Sequence, residues 1–301
     1  MEFNKIIQGN VLNTIKQIES KSVQCAVTSP PYWGLRDYGI DEQLGLEETP
    51  DEYVDNMVKV FREVKRVLRN DGTLWLNLGD SYSGNCSRAS NNGRASFGKK
   101  REGVFKKIGK DLKTKDLVGI PWRVAFALQS DGWYLRQDII WHKPNPMPES
   151  VQDRCTKSHE YIFLLSKSAR YFYNAESIRE PINLNNNGSI RSPKFGKDRP
   201  KNPREMNEVI YDKIKGANKR SVWKINTKPY KDAHFAVFPE KLPELCIKAG
   251  SKKGDIVLDP FFGSGTTGWV AQRLGRKWIG CELNKDYIKI AKKRFQQVEL
   301  F

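Results

Sequence analysis

The segment Ile256-Val257-Leu258 runs directly into Asp259-Pro260-Phe261-Phe262-Gly263-Ser264-Gly265-Thr266-Thr267, and Thr266 to Leu274 reads as a helix. Glycines at 263 and 265 let the backbone approach a ligand closely. The start of the helix offers amides with no intrahelical acceptor, a seat for a carboxylate or phosphate. The next strand, Trp278 to Cys281, leads into Glu282, 23 residues after Asp259. A βαβ nucleotide site places there the acid that holds a ribose diol. A lone G-x-G is more often an ordinary tight turn, whereas the same turn with an acid closing each flanking strand is a much more specific signal. A dinucleotide fold expects G-x-G-x-x-G near its beginning; here the glycine turn stands near the end.

The rest of the chain alternates strands with helices. Val23 to Thr28 is a short apolar strand, and Tyr53 to Leu68 is an amphipathic helix with Val54, Met57, Val58, Phe61, Val64 and Leu68 on one side. Leu74 to Leu78 follows an Asn70-Asp71-Gly72 turn as a strand. Pro121 to Gln129 is a helix with proline in its first turn, Gln137 to Trp141 and Tyr161 to Leu165 are strands, and Asp286 to Gln297 is a helix. Such alternation predicts a mostly parallel α/β sheet with crossover helices.

The first of these strands ends in Thr28-Ser29-Pro30-Pro31-Tyr32-Trp33-Gly34. Two prolines fix φ and remove amide donors, leaving a rigid turn. It presents the Ser29 hydroxyl, the Pro30 carbonyl and the face of Tyr32 close together, a set suited to an exocyclic amino group on a planar base: two acceptors for its N–H bonds and a ring to stack on.

The chain of 301 residues carries 52 Lys and Arg against 35 Asp and Glu, a net +17. Gly84 to Lys115 holds 10 basic and 2 acidic residues and Asn185 to Lys231 holds 13 and 4, so these two segments carry the whole excess. Phe97, Phe105, Phe195, Tyr211, Trp223 and Tyr230 are interleaved with the charges. Basic residues with aromatics favour backbone-phosphate binding, which gives affinity but no sequence information. Lys99, Lys100, Lys106 and Lys107 are the candidate phosphate contacts of the first segment; Arg191, Arg220 and Lys224 are the candidates for reading guanine edges in the second. No run of ~18 apolar residues and no N-terminal apolar core appear, which points to a cytoplasmic protein that neither spans a membrane nor is secreted. Five cysteines without a C-x-x-C pair, and three histidines without ligand spacing, argue against a disulfide framework or a metal site.

Taken together, the two turns resemble those of the S-adenosylmethionine-dependent DNA amino-methyltransferases, specifically the β group with permuted motif order. The resemblance covers about residues 1–174 and 232–301. It implies a doubly wound, mostly parallel, seven-stranded Rossmann-like methyltransferase sheet. The catalytic half would occupy 1–174 with a basic loop at 84–115, a target-recognition region 175–231, and the cofactor half 232–301. Ser29, Pro30, Pro31 and Tyr32 would form the catalytic turn. Asp259, Phe261, Gly263, Ser264, Gly265, Thr266, Thr267 and Glu282 would hold S-adenosyl-L-methionine. Phe238, within His234 to Leu242, would pack on its methionine end. Relatives often carry Gly-Asp near the N-terminus, the acid touching the cofactor adenine, where this chain has Gly9-Asn10, so Asn10 is carried as the equivalent contact. Leu74 to Ser81 and Asp138 to Pro148 resemble further family blocks that wall the base pocket.

Family members acting on adenine usually carry Asp where this chain has Ser29, and those acting on the N4 amine of cytosine usually carry Ser. The resemblance therefore implies cytosine-N4 methylation of duplex DNA by base flipping, in a bacterial, archaeal or phage restriction–modification system with a cognate endonuclease as functional partner. Ring carbon-5 methylation needs a Pro-Cys pair, and no cysteine here follows a proline. The alternatives are adenine-N6 methylation, methylation of an RNA or protein amide, and a non-catalytic DNA-binding module with a vestigial pocket.

Overall fold

The computed structural model describes residues 2–35, 37, 39–83, 112–181, 216–227 and 238–296. Their strands are β1 (Lys5–Gln8), β2 (Val23–Thr28), β3 (Leu68–Leu78), β4 (Tyr134–His142), β5 (His159–Ser166), β6 (Val222–Lys224), β7 (Ile256–Asp259) and β8 (Lys277–Glu282). They form one sheet in the order β1-β8-β7-β2-β3-β5-β4-β6. Every pairing is parallel except the two made by β5, which alone runs backwards. The doubly wound, mostly parallel architecture expected from the sequence is present. The expected count of seven strands becomes eight among the described residues, because β6, inside the segment assigned to target recognition, pairs with β4 through Ile140↔Val222, Trp141↔Trp223 and His142↔Lys224.

Among the described residues six α-helices flank the sheet: α1 (Val11–Thr14), α2 (Pro50–Val67), α3 (Ile120–Ser130), α4 (Lys241–Gly250), α5 (Thr266–Arg273) and α6 (Lys285–Gln296). Side chains of α2 and α3 pack with Leu74, Leu76, Leu78, Phe163 and Leu258 on one face; α4, α5 and α6 pack with Val27, Trp75, Ile162 and Val257 on the other. Helix α2 starts sharply because Thr49 and Glu52 form a capping box, at 3.2 and 3.3 Å, ahead of Pro50. Asn70-Asp71-Gly72, read as a turn before a strand, falls inside β3. The register with β2 jumps there from Val23↔Leu68 to Cys25↔Thr73, and the irregularity absorbs the exposed residues.

The chain leaves β2 through α2 toward β3, and leaves β7 through α5 toward β8, so its path diverges from two neighbouring strands (Cys25↔Val257, Ala26↔Leu258). A crevice at the carboxyl ends of the strands is the consequence. Tyr82 bridges Leu117 across the first basic segment, and Glu180, ahead of the second, bridges Ala217 within it with backbone bonds of 2.9 and 2.8 Å. No helix among the described residues is long and apolar enough to cross a membrane.

Phe262 lies flat within the sheet-side packing, stacked on Trp278 at 5.1 Å and on Phe295 at 6.4 Å. Gly280 makes that possible, since a Cβ there would stand 2.2 Å from the Phe262 ring. Gly280→Ala should therefore lower the urea midpoint by an amount equivalent to about 1–3 kcal/mol, as overpacking does; an unchanged midpoint would show that the ring has room to move.

Candidate active site

A cavity of about 740 Å³ opens at the carboxyl ends of the parallel strands. It brings together Ser29, Pro30, Pro31 and Tyr32 with Asn10, Phe238, Asp259, Phe261, Gly263, Ser264, Thr266 and Glu282. Gly265 and Thr267 turn into the protein instead. Gly265, at φ +80°, precedes α5, and a Cβ on it would meet Ala291 and Phe262 at 3.1 Å. Lys99, Lys100, Lys106, Lys107 and Arg191 lie outside the described residues. Arg220 is ion-paired to Glu180 at 2.7 Å, and Lys224 stands exposed on β6.

The glycine turn and the proline turn are bolted together by one carboxylate. Asp259 Oδ1 accepts from the Thr28 hydroxyl at 2.6 Å and the Phe261 amide at 3.0 Å, and Oδ2 lies 2.7 Å from the Thr267 hydroxyl. The carboxyl is buried, and burial pushes its pKa up to about 7 despite these partners. Thr267 Oγ1 also lies 3.3 Å from the Val27 carbonyl. The shorter distance makes the Asp259 carboxyl the main acceptor of the Thr267 hydroxyl, with the Val27 carbonyl a weaker second one.

On the cofactor side, Gly263 adopts φ +52°, and a Cβ on it would meet only the Phe261 carbonyl, at 4.0 Å, so open space faces the cavity there. Ser264 Oγ is buried in the cavity wall without a hydrogen-bond partner. Glu282 accepts from the Gly263 and Asn284 amides, each at 2.7 Å, and burial raises its pKa. Two carboxylate oxygens have capacity for further donors such as ribose hydroxyls. Asn10 caps α1, its Oδ1 accepting from the Leu12 amide at 2.9 Å, while its Nδ2 donates to Glu42 at 3.1 Å. Its side chain lines the cavity with both polar atoms engaged.

On the other side, the Tyr53 hydroxyl donates to the Pro31 carbonyl at 2.8 Å and braces the proline turn. Ser29 Oγ stands 3.2 Å from the Tyr32 hydroxyl, which donates to Glu160 Oε2 at 2.7 Å. Burial, and then the Glu160 carboxylate, push the Tyr32 phenol well above its ordinary pKa, so it stays protonated. Asn77 Nδ2 donates to Glu160 and to the Tyr161 carbonyl, each at 3.1 Å, and Lys143 forms an ion pair with the remaining Glu160 oxygen. Sequence reasoning placed Asn77 and Lys143 in wall blocks and passed over Glu160. The available signal was an acid immediately before the apolar run of β5.

The DNA methylase family profile matches residues 23–293. The chain belongs to this family. Curated relatives of the methylase include the Type II methyltransferase M.SmaI of Serratia marcescens, 49% identical over 96% of this chain and 90% of its own length. M.Cfr9I of Citrobacter freundii is 48% identical over 97% and 87%. Among solved structures, the PvuII DNA methyltransferase (cytosine-N4-specific) covers 98% of the chain and 87% of its own, with a TM-score of 0.65 at 20% identity. A putative DNA modification methylase of Thermus thermophilus complexed with S-adenosyl-L-methionine covers 97% and 94%, with a TM-score of 0.59 at 24% identity. S-adenosyl-L-methionine is the cofactor of the methylase. The partnerless Ser264, the open space before Gly263 and the Glu282 carboxylate fit its amino-acid and ribose ends.

The raised pKa of Asp259 has a readable sign. Below about pH 4 both folded and unfolded chains hold the proton; between there and about 7 only the folded chain does, so this contribution is present at low pH and lost as pH rises through 7. Asp259→Asn mimics the protonated form and lacks the titration. From pH 5 to 8 the thermal midpoint of the native methylase should fall relative to Asp259→Asn and then level off; parallel profiles would contradict the assignment.

Proposed function

We propose that the methylase transfers a methyl group to the exocyclic N4 amine of cytosine in duplex DNA, acting in the cytoplasm within a restriction–modification pair. The observation that carries the reading is Ser29, the leading residue of the proline turn, lining the same cavity as the glycine turn. A neutral hydroxyl stands where the resemblance puts a carboxylate in adenine enzymes. The 48–49% identical relatives, both Type II methyltransferases, support the restriction–modification setting.

When bound, S-adenosyl-L-methionine supplies an electrophilic methyl on sulfur. Gly263, Ser264 and Thr266 seat its amino-acid end, Glu282 its ribose, and Phe238 and Phe261 the flanks. The target base leaves the stack at a cost of a few kcal/mol and lies on Tyr32, whose hydroxyl is tethered by Glu160. Ser29 Oγ and the Pro30 carbonyl accept the two N–H bonds of the amine. An exocyclic amine is a poor nucleophile because its lone pair is delocalised into the ring. Holding both hydrogens turns that lone pair toward the methyl, and near-attack alignment lowers the barrier further. Ser29 is a weak base, so the nitrogen becomes cationic as the N–C bond forms and the S–CH3 bond breaks to leave S-adenosylhomocysteine, and only then is its proton released to water. The basic segments, through Lys99, Lys100, Lys106 and Lys107, hold the phosphates, and Arg191, Arg220 and Lys224 read bases.

Ser29→Ala should leave affinity for S-adenosylhomocysteine unchanged by calorimetry and slow single-turnover methylation about a hundred- to thousandfold, the usual loss for one positioned polar contact in a closed site. Mass spectrometry of digested DNA methylated by the native chain should find N4-methylcytosine. N6-methyladenine alone would overturn the choice of base and spare the fold and the cofactor.

A further inference from the structure

We infer that Met147 is the wedge this methylase inserts into the duplex as the target base leaves the stack. Of the large apolar side chains exposed among the described residues, only Leu35 and Met147 line the cavity, at 51% and 85% exposure, and Met147 is the most exposed of all. It sits at the cavity rim on the arm Pro144-Asn145-Pro146-Met147-Pro148, which continues from the end of β4.

That arm is braced. Pro146 and Pro148 fix their own φ, and Pro148 biases the preceding Met147 toward extended backbone. The Thr227 amide donates to Asn145 Oδ1 at 3.0 Å, and Asn145 Nδ2 returns a bond to the Thr227 carbonyl at 3.2 Å. At the root of the arm, Lys143 is ion-paired to Glu160 inside the cavity. A long apolar side chain is therefore presented to water beside the cavity by a braced arm.

Extraction of a base leaves a gap floored and roofed by the apolar faces of its neighbours. Proteins that distort DNA fill such gaps with Met, Leu, Phe or Ile side chains. An unbranched, polarizable thioether adapts to an irregular apolar slot. Leu35 is shorter and less exposed, and the Gly34 amide ties its loop back to the Gly45 carbonyl at 2.9 Å. The inference requires only that the chain methylates a base in duplex DNA, whichever base that is.

The test uses the full chain with S-adenosyl-L-methionine and two duplexes bearing the sequence found methylated in cells that express it. One duplex is fully paired; the other has an abasic site opposite the target, which removes the pairing that resists extraction. Met147→Ala should slow single-turnover methylation about ten- to hundredfold on the paired duplex, matching loss of part of the compensation for base extraction, and should nearly match the native rate on the abasic one. Met147→Leu should stay close to native on both. Affinity for S-adenosylhomocysteine should be the same in all three. Equal losses on both duplexes, no loss on the paired one, Leu behaving as Ala, or weakened cofactor binding would each overturn the inference. Because the duplexes are chosen by observed methylation, adenine as the product base would leave the inference standing.

Discussion

Asp259 accepts the Thr28 hydroxyl and the Phe261 amide on one oxygen and meets the Thr267 hydroxyl with the other, and this junction sets where the two functional turns can sit. The two turns grow from neighbouring strands whose crossover helices depart in opposite directions, α2 toward β3 and α5 toward β8. Divergence opens the crevice, and without a tie it would also let the turns drift apart. Transfer between two bound molecules needs the opposite, since alignment at near-attack distance supplies much of the rate. A buried carboxyl between hydroxyls from both turns reconciles an open cavity with fixed geometry.

The turns achieve rigidity by contrary means. The glycine turn omits side chains so that the backbone can reach a ligand, while Phe262 anchors it on Gly280, where only hydrogen leaves room for the ring. The proline turn omits amide hydrogens, and its surplus carbonyl at Pro31 is taken by Tyr53 from α2. Behind Tyr32, Asn77, Glu160 and Lys143 form a polar layer with a carboxylate at its centre and a cation on its far oxygen. A buried charge without partners would be costly; here its partners hold the aromatic face on which a base would lie.

Both turns were legible in the sequence because their chemistry is local: adjacent prolines and glycines at fixed offsets demand a particular backbone before any tertiary contact forms. The polar layer was not, because Glu160 begins β5, the one reversed strand. Only antiparallel pairing, with Leu78 opposite Tyr161, brings the start of β5 to the carboxyl end of β3. Strands β6 and β1, at three and four residues, were too short to carry a period. Asn10 shows a different limit, since its identity did not reveal that it caps α1. The charge surplus marks two segments by composition alone: the bridge Tyr82↔Leu117 flanks the first, whereas Ala217 and β6, inside the second, pair with Glu180 and β4.

The dependence of both turns on one carboxyl is tested most directly by a double-mutant cycle on the hydroxyls that meet it, Thr28→Val and Thr267→Val, read as single-turnover methylation with saturating S-adenosyl-L-methionine and DNA. Each variant keeps side-chain volume and removes one partner of Asp259. If the carboxyl couples the turns, the two losses should be non-additive, with an interaction energy of about 0.5–3 kcal/mol. Losses that add to within a few tenths of a kcal/mol would mean that the turns are held independently and would contradict the account.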